Sequence, residues 1–205
     1  MNSSYFSDMI HFENISLSFS EKIIFDNLTI TINQGEKICL SGPSGRGKST
    51  LLNLLQGYVL PNKGKIIING KVLNDSTIRE IRKQIISIPQ NINLPVKNGM
   101  ELVELLEISQ NLHAIKEYNQ KLDLESDILI KDFAKISGGQ KQRLLISICL
   151  SQPKDIILMD EPTSSLDDKS IELLINVIGE LKGRTIISAS HNQLWAKSSD
   201  KIIEL

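Results

Sequence analysis

The feature that most limits what this chain can become is a glycine-rich octapeptide that fits G-x-x-x-x-G-K-[ST] at every fixed position. It reads Gly42-Pro43-Ser44-Gly45-Arg46-Gly47-Lys48-Ser49. An apolar stretch at Lys37–Ser41 comes directly before it, and a helical pattern begins at Thr50. Glycines let successive backbone N–H groups turn inward around a phosphate, and the following helix adds its N-terminal dipole. We therefore predict a strand, a phosphate-binding loop and a helix, with Gly42 to Thr50 contacting a nucleotide.

Two side chains at the end of this loop have defined chemistry in such sites. Lys48 can reach the outer phosphates of a nucleotide, and the Ser49 hydroxyl can bind Mg²⁺. The alternative is a glycine-rich turn that only joins a strand to a helix. That alternative leaves the adjacent lysine and serine without a purpose.

Two carboxylates follow a second apolar stretch. Ile156–Met159 predicts a buried strand, and it runs directly into Asp160 and Glu161. In open α/β sheets, ligands bind beyond the carboxyl ends of the strands, so both acids are expected near the phosphate loop. We predict that Asp160 supports Mg²⁺ and that Glu161 orients and deprotonates the attacking water. A pair of solvated acids that caps a loop is the alternative.

The hydrophobic patterning predicts the fold class. Apolar runs without alternation, such as Ile156–Met159 and Thr185–Ala189, are typical of strands covered on both faces in a parallel sheet. Near the N-terminus the apolar residues alternate, as in Ile15, Leu17 and Phe19, which predicts half-buried antiparallel strands. We therefore expect an α/β protein, a P-loop NTPase core with a mostly parallel sheet and an N-terminal antiparallel β subdomain.

A small helical insertion is expected between the two halves of this core. The interval from about residue 91 to 151 is mostly helical in pattern, for example at Met100–Ser109. We expect Met100, Leu105 and Leu106 to form the core of the insertion, although an exposed apolar groove there would suit a partner helix. The chain from 1 to 205 is predicted to form a single domain.

Composition excludes several kinds of partner. Lys and Arg number 23 against 24 Asp and Glu, so a basic surface for nucleic acid is not expected. Apolar runs such as Leu144–Leu150 are far shorter than the roughly 20 residues that span a bilayer, so we expect no direct membrane insertion. The start, Met1–Tyr5, shows no signal peptide pattern. Cys39 and Cys149 lie in apolar runs and are expected to be buried thiols of a cytoplasmic protein.

Four further motifs occur in a fixed order along the chain. The motifs are Gln90 after an apolar strand, Ile136-Ser137-Gly138-Gly139-Gln140, Ser164-Ser165-Leu166-Asp167, and His191 after the last apolar strand. They resemble the Q-loop, the signature, the D-loop and the H-loop of ABC transporters. From about Ile10 to its end, the chain is thus similar to an ABC transporter ATP-binding subunit.

This resemblance implies a shared ATP site. Two copies would close head to tail, and each ATP would lie between the phosphate loop of one copy and the signature of the other. The implied signature contacts are Ser137, Gly138, Gly139 and Gln140, with Asp167 acting across the interface. The ion bound with ATP would be Mg²⁺, held by Ser49, Gln90 and Asp160.

The resemblance also assigns catalytic and base-binding roles. Glu161, His191, Lys48 and Gln90 would take part in hydrolysis, with His191 holding the water and Glu161 in register. Phe19 matches the aromatic that stacks on adenine, although its place in the Ile15-Leu17-Phe19 alternation also fits a core role. Gln90 also fits an ordinary loop amide.

The predicted function is the ATP-binding and ATP-hydrolysing subunit of an ABC transporter. It would power a separate transmembrane permease through dimerisation with itself or with a related ATPase subunit, on the cytoplasmic face of the cell membrane. The alternatives are a soluble ABC-type ATPase acting in a non-transport process, a P-loop kinase and a non-hydrolysing regulatory binder. A kinase leaves the signature and D-loop unexplained, and the intact Glu161 disfavours a non-hydrolysing binder.

Overall fold

The structure, a computed structural model, describes residues 8–91 and 94–205. Met1–Tyr5, on which the signal-peptide expectation depends, lie outside this part of the chain, as do residues 92 and 93 of the predicted insertion. The strands are β1 (Asp8–Phe19), β2 (Lys22–Asn33), β3 (Lys37–Ser41), β4 (Lys63–Ile68), β5 (Lys71–Val72), β6 (Ile85–Ile88), β7 (Ile156–Asp160), β8 (Thr185–Ala189) and β9 (Lys201–Glu204). The α-helices are α1 (Lys48–Leu55), α2 (Ile78–Lys83), α3 (Gly99–Leu105), α4 (Leu112–Lys121), α5 (Gly138–Leu150), α6 (Asp168–Glu180) and α7 (Gln193–Lys197), and Ser109–Asn111 form a 3₁₀ turn.

The strands form two sheets of different kind. One is antiparallel, in the order β2-β1-β4-β5, and the other is parallel, in the order β6-β7-β8-β3-β9. The predicted fold class, an α/β core with an antiparallel N-terminal sheet, is therefore confirmed. The central strands β7 and β8 are buried almost throughout, as unbroken apolar runs require when both faces are covered, whereas the edge strand β9 is mostly exposed.

The antiparallel sheet buries one face along most of β1. Ile10 and Phe12 are fully buried, and they pair with Ile68 and Ile66 of β4. The burial does not extend to the end of the strand, because Phe19 is 48% exposed. The core alternative for Phe19 is therefore wrong, and its ring is accessible at the tip of the β1–β2 hairpin.

Helices α3, α4 and α5 lie between β6 and β7 in the chain, where the insertion is expected. Leu102 and Val103 of α3 are buried, whereas Leu105 and Leu106 are 61% and 43% exposed. The expectation that Leu105 and Leu106 belong to the core of the insertion is therefore wrong. The physical reason is that Leu105 is the last residue of α3 and Leu106 is its C-cap, so both follow the part of the helix at Leu102 and Val103 that faces the core.

The two cysteines are buried and unpaired, as expected. Burial raises the pKa of the Cys149 thiol to about 12, so this group is neutral and unreactive at physiological pH. Among the described residues, no helix combines the length and the apolar character needed to cross a bilayer.

The parallel sheet brings the four motif-bearing strand ends to one edge. β6, β7, β8 and β3 are neighbours in that order, and all point the same way. Register is tight, since Ala189 pairs with both Asp160 of β7 and Leu40 of β3. Gln90, Glu161, His191 and the glycine-rich loop each follow one of these strands. Residues far apart in sequence are thereby placed side by side.

We expect Leu102→Ala to lower the free energy of unfolding by about 2–5 kcal/mol, because it removes a buried side chain and leaves a cavity. The matched change Leu105→Ala, on the same helix, should alter it by about 0.5 kcal/mol or less, since that side chain is mostly exposed. Urea unfolding of both variants measures the difference. Equal losses would contradict the assignment of the two leucines to the inner and outer faces of α3.

Candidate functional site

All three glycines of the octapeptide have a positive φ, 81° at Gly45, and two of them also have no room for a Cβ atom. Gly42 has φ 140° and Gly47 has φ 100°, values that side chains rarely adopt. A Cβ at Gly47 would lie 2.8 Å from the Ile24 and Phe25 side chains, and one at Gly42 would lie 2.6 Å from the Leu205 carbonyl oxygen. The side chains of Ile24 and Phe25 and the carbonyl oxygen of Leu205 therefore leave no room for a side chain at these two positions.

Lys48 is held across the opening of this loop. Its Nζ donates hydrogen bonds to the carbonyl oxygens of Gly42, at 2.8 Å, and Pro43, at 3.2 Å. An ammonium group held beside the backbone N–H groups of a glycine-rich loop can bind phosphate oxygens. The loop therefore fits the triphosphate of a nucleotide.

A cleft of about 190 Å³ lies at the loop. It is lined by Ile24, Ser44, Gly45, Gly47, Lys48, Ser49, Thr50, Gln90 and Glu161. Eight of the predicted site residues, Gly47 among them, therefore meet in one space with the unpredicted Ile24. Gly42, Pro43 and Arg46 do not line this cleft, and Arg46 is exposed on the outer side of the loop.

Ser49 and Asp160 are in contact across 111 residues of sequence. The Ser49 hydroxyl donates a hydrogen bond to Oδ1 of Asp160, with Oγ and Oδ1 3.0 Å apart. Burial raises the pKa of the Asp160 carboxyl, and the nearby Glu161 raises it further, while the Ser49 hydrogen bond and Lys48 oppose the shift. A hydroxyl and a carboxylate at this spacing are oxygen ligands of the kind that Mg²⁺ prefers.

Glu161 occupies a strained and buried position. Its φ is 48°, its exposed fraction is 9%, and its backbone N–H donates to the Ala189 carbonyl oxygen at 2.8 Å. Nδ1 of His191 lies 3.0 Å from Oε2 of Glu161, but not along a hydrogen-bonding direction. Within the described chain, Oε2 therefore is buried and has no hydrogen-bond partner, while the residue itself lines the cleft, where a carboxylate can accept a proton from water.

Not every predicted residue reaches the cleft within one chain. Ser137 caps α5, where its hydroxyl accepts a hydrogen bond from Gln140 N and its own backbone N–H donates one to Oε1 of Gln140. Gly139 packs beside Ser165. Asp167 caps α6 by accepting from Ser170 N. The Gly138 to Gln140 turn and Asp167 are thus placed on the protein surface, away from the residues that line the cleft. Phe19 is exposed on the hairpin and does not line it either.

One cleft residue was missed from the sequence. Ile24 lines the cleft and touches the position of a Gly47 Cβ. In sequence it looks like one member of an apolar strand, and nothing in its spacing distinguishes it from a core residue. The only local signal for its role is its position two residues after Lys22, where β2 begins.

The combination of a parallel α/β core, a phosphate loop and a carboxylate pair defines a nucleotide-hydrolysing P-loop protein. The family model described as ABC transporter matches residues 25–164. The chain belongs to the ABC transporter family, as one of its ATP-binding, ATP-hydrolysing cassettes.

Individual relatives agree with this assignment. An energy-coupling factor transporter ATP-binding protein of Fusobacterium nucleatum is 35% identical over 195 residues, covering 90% of this chain and 74% of the relative. A zinc import ATP-binding protein of Rickettsia conorii is 32% identical over 199 residues, covering 95% and 82%. The chain spans only 28% and 27% of two ABC transporter F family members of Arabidopsis thaliana.

A solved structure has the same fold. A dimeric ATP-binding cassette in a post-hydrolysis state, bound to ADP and Pi, superposes with a TM-score of 0.83 at 28% identity. The match covers 96% of this chain and 94% of that one.

Asp160→Asn should raise the free energy of unfolding of the nucleotide-free protein at neutral pH. The folded state binds the Asp160 proton more tightly than the unfolded chain, whose pKa is near 3.8, so ionisation at neutral pH costs stability. The gain should shrink as the pH falls through the raised pKa towards 3.8. Urea unfolding at several pH values measures it.

Asp155→Asn is the matched control, because Asp155 lies at the opposite end of β7 and is exposed. It should change stability little at any of these pH values. A loss of stability in Asp160→Asn at neutral pH would show that burial does not penalise this carboxylate.

Proposed function

We propose that this chain is the ATP-hydrolysing subunit of an ABC transporter and that it drives a separate transmembrane permease. The observation that carries the proposal is the meeting of Lys48, Ser49, Gln90 and Glu161 in one cleft, with Asp160 bonded to Ser49. These residues come from three separate parts of the chain, and each has a chemical role in phosphoryl transfer to water.

The proposed role of each residue in ATP hydrolysis follows from its contacts or from its position in the structure. Lys48 and the loop amides of Gly42 to Thr50 hold the phosphates, and Phe19 offers an exposed ring for stacking on adenine. Ser49, Asp160 and Gln90 would hold Mg²⁺, which when bound would neutralise phosphate charge. The Glu161 carboxylate takes the proton of the attacking water, and His191 lies beside it to keep that water in place.

Head-to-tail pairing of two chains supplies the second half of each site. The N-terminus of α5 presents Ser137, Gly138 and Gly139 at the surface, where backbone N–H groups and the helix dipole favour a phosphate. These groups are remote from the cleft of their own chain, so they serve the nucleotide of a partner copy or of a related subunit. Asp167, at the start of α6, lies close enough to the signature through Ser165 to take part in the same interface.

An exposed apolar surface of the insertion suits the membrane partner. Leu105 and Leu106 are accessible at the end of α3, and Ile130 is 66% exposed. Exposed apolar side chains of the insertion are available for contact with another protein. The relatives named for zinc import and for energy-coupling factor transport support a transport role, and we place this chain on the cytoplasmic face of the cell membrane. We assign the whole of residues 1–205 to one domain, with about 91–151 as its helical insertion.

Glu161→Gln should abolish turnover while ATP binding persists, because the amide keeps the shape but cannot accept the proton. A positioned base contributes about 10²–10⁴-fold in rate, so the steady-state rate should fall by that order. Phosphate release and calorimetric ATP binding measure the two effects, and gel filtration with MgATP should show an accumulated dimer. Normal turnover in this variant would remove Glu161 from the mechanism. Glu172→Gln, on the outer face of α6, is the charge-matched control.

Ser137→Arg should leave ATP binding to the single chain intact and prevent the dimer from closing. The bulky cation would occupy the place where the signature meets the partner's phosphate. Analytical ultracentrifugation of the Glu161→Gln background with MgATP measures dimer formation. Survival of the dimer and of hydrolysis would show that the site is not shared between copies.

Two further variants separate a blocked dimer interface from the loss of the α5 cap. Ser126→Arg adds the same cation at an exposed serine and should leave dimerisation and turnover unchanged. Ser137→Ala removes the hydroxyl that caps α5 without adding a bulky cation, and loss of the cap costs about 1 kcal/mol of stability. Its unfolding curve therefore shows how much of the arginine effect is lost capping.

A further inference from the structure

Ser190 joins three segments at the catalytic edge of the sheet. It lies between the end of β8 and His191, and its exposed fraction is 0%. Its backbone N–H donates to the Leu40 carbonyl oxygen of β3 at 3.1 Å. Its hydroxyl accepts a hydrogen bond from Asn192 N at 3.2 Å and lies 3.4 Å from the Thr163 hydroxyl.

Thr163 belongs to the segment that carries Glu161. It follows Glu161 by two residues and is 5% exposed. The same two segments are joined one step earlier by the hydrogen bond from Glu161 N to the Ala189 carbonyl oxygen, at 2.8 Å. The Glu161 segment and the His191 segment are thus connected twice, once through backbone and once through a buried pair of hydroxyls.

Among the described residues, the contact of the Ser190 and Thr163 hydroxyls is the side-chain hydrogen bond that joins these two segments. Buried hydroxyl groups are costly unless they are paired, so the arrangement of Ser190 and Thr163 is strongly specified. Glu161 itself has a left-handed backbone, a conformation that persists only when its surroundings hold it. His191, by contrast, is 74% exposed at its side chain. Its position relative to Glu161 therefore depends on the buried residue next to it.

We propose that Ser190 is a positioning residue for hydrolysis, whose hydroxyl fixes the His191 loop relative to Glu161 and so maintains their 3.0 Å approach. This inference rests on the proposed function, in which these two residues act on the attacking water. The hydroxyl does not touch the phosphate loop, and the backbone bond to Leu40 survives its removal. Ser190 therefore affects the rate of hydrolysis and leaves the affinity for ATP unchanged.

The first test is Ser190→Ala, measured by steady-state kinetics, calorimetric ATP binding and thermal unfolding. Loss of the contact with Thr163 and of the hydrogen bond from Asn192 N should lower kcat about tenfold, with the Kd for MgATP within about twofold of the native value. Ser190→Thr, which keeps the hydroxyl, should restore most of kcat. Ser147→Ala removes another fully buried hydroxyl, in the middle of α5, and should leave kcat unchanged.

The second test approaches the pair from its other member. Thr163→Val keeps the shape of the side chain and removes its hydroxyl, so it should lower kcat, by no more than Ser190→Ala, which also loses the hydrogen bond from Asn192 N. The double variant should be no slower than Ser190→Ala, because both changes remove the same contact between the two hydroxyls. Independent, multiplying losses would overturn the proposal, as would a native kcat in Ser190→Ala or a parallel loss of kcat, ATP affinity and thermal stability.

Comparison with Glu161→Gln separates this inference from the proposed function. If Glu161→Gln turns over normally, the hydrolytic mechanism itself is wrong. If Glu161→Gln is inactive while Ser190→Ala has the native kcat, only the positioning role of Ser190 fails.

Discussion

Parallel hydrogen bonding among β6, β7, β8 and β3 is the constraint on which the rest of this structure depends. Parallel neighbours end at the same edge of a sheet, so four loops that are distant in sequence converge there. Ala189 pairs with both Asp160 and Leu40, and this fixes the depth at which the carboxylates and the phosphate loop meet. A shift of one residue in any of these strands would send the following side chains to the wrong place.

Charged side chains lie at this edge of the sheet, and the chain does not fully compensate their charge. Burial raises the pKa of Asp160, and Oε2 of Glu161 lacks a hydrogen-bond partner in the described chain. Opposite them, Lys48 is bonded only to backbone carbonyl oxygens. Such an arrangement is costly when empty and favourable when a triphosphate and its cation complete it. The site therefore forms its most favourable electrostatic interactions when the nucleotide is bound.

Much of this was readable from the sequence because the signals are local. The apolar runs at Lys37–Ser41 and Thr185–Ala189 match β3 and β8 residue for residue. Backbone geometry explains the glycines of the loop, since a Cβ at Gly47 has no room. Local signals were less complete elsewhere, and α6 and β9 were not predicted, although α6 carries a clear helical spacing in Ile171, Leu174 and Ile178.

The sequence by itself determined the family, the α/β class and the loop that fits phosphate, because each follows from residue types at fixed short spacing. Only the tertiary structure decided which apolar residues face water, as Phe19 and Leu105 show. It also decided the contacts of Ser49 with Asp160 and of Thr163 with Ser190. Those pairs are separated by 111 and 27 residues, and only strand order and register bring their side chains together, which local patterns do not encode.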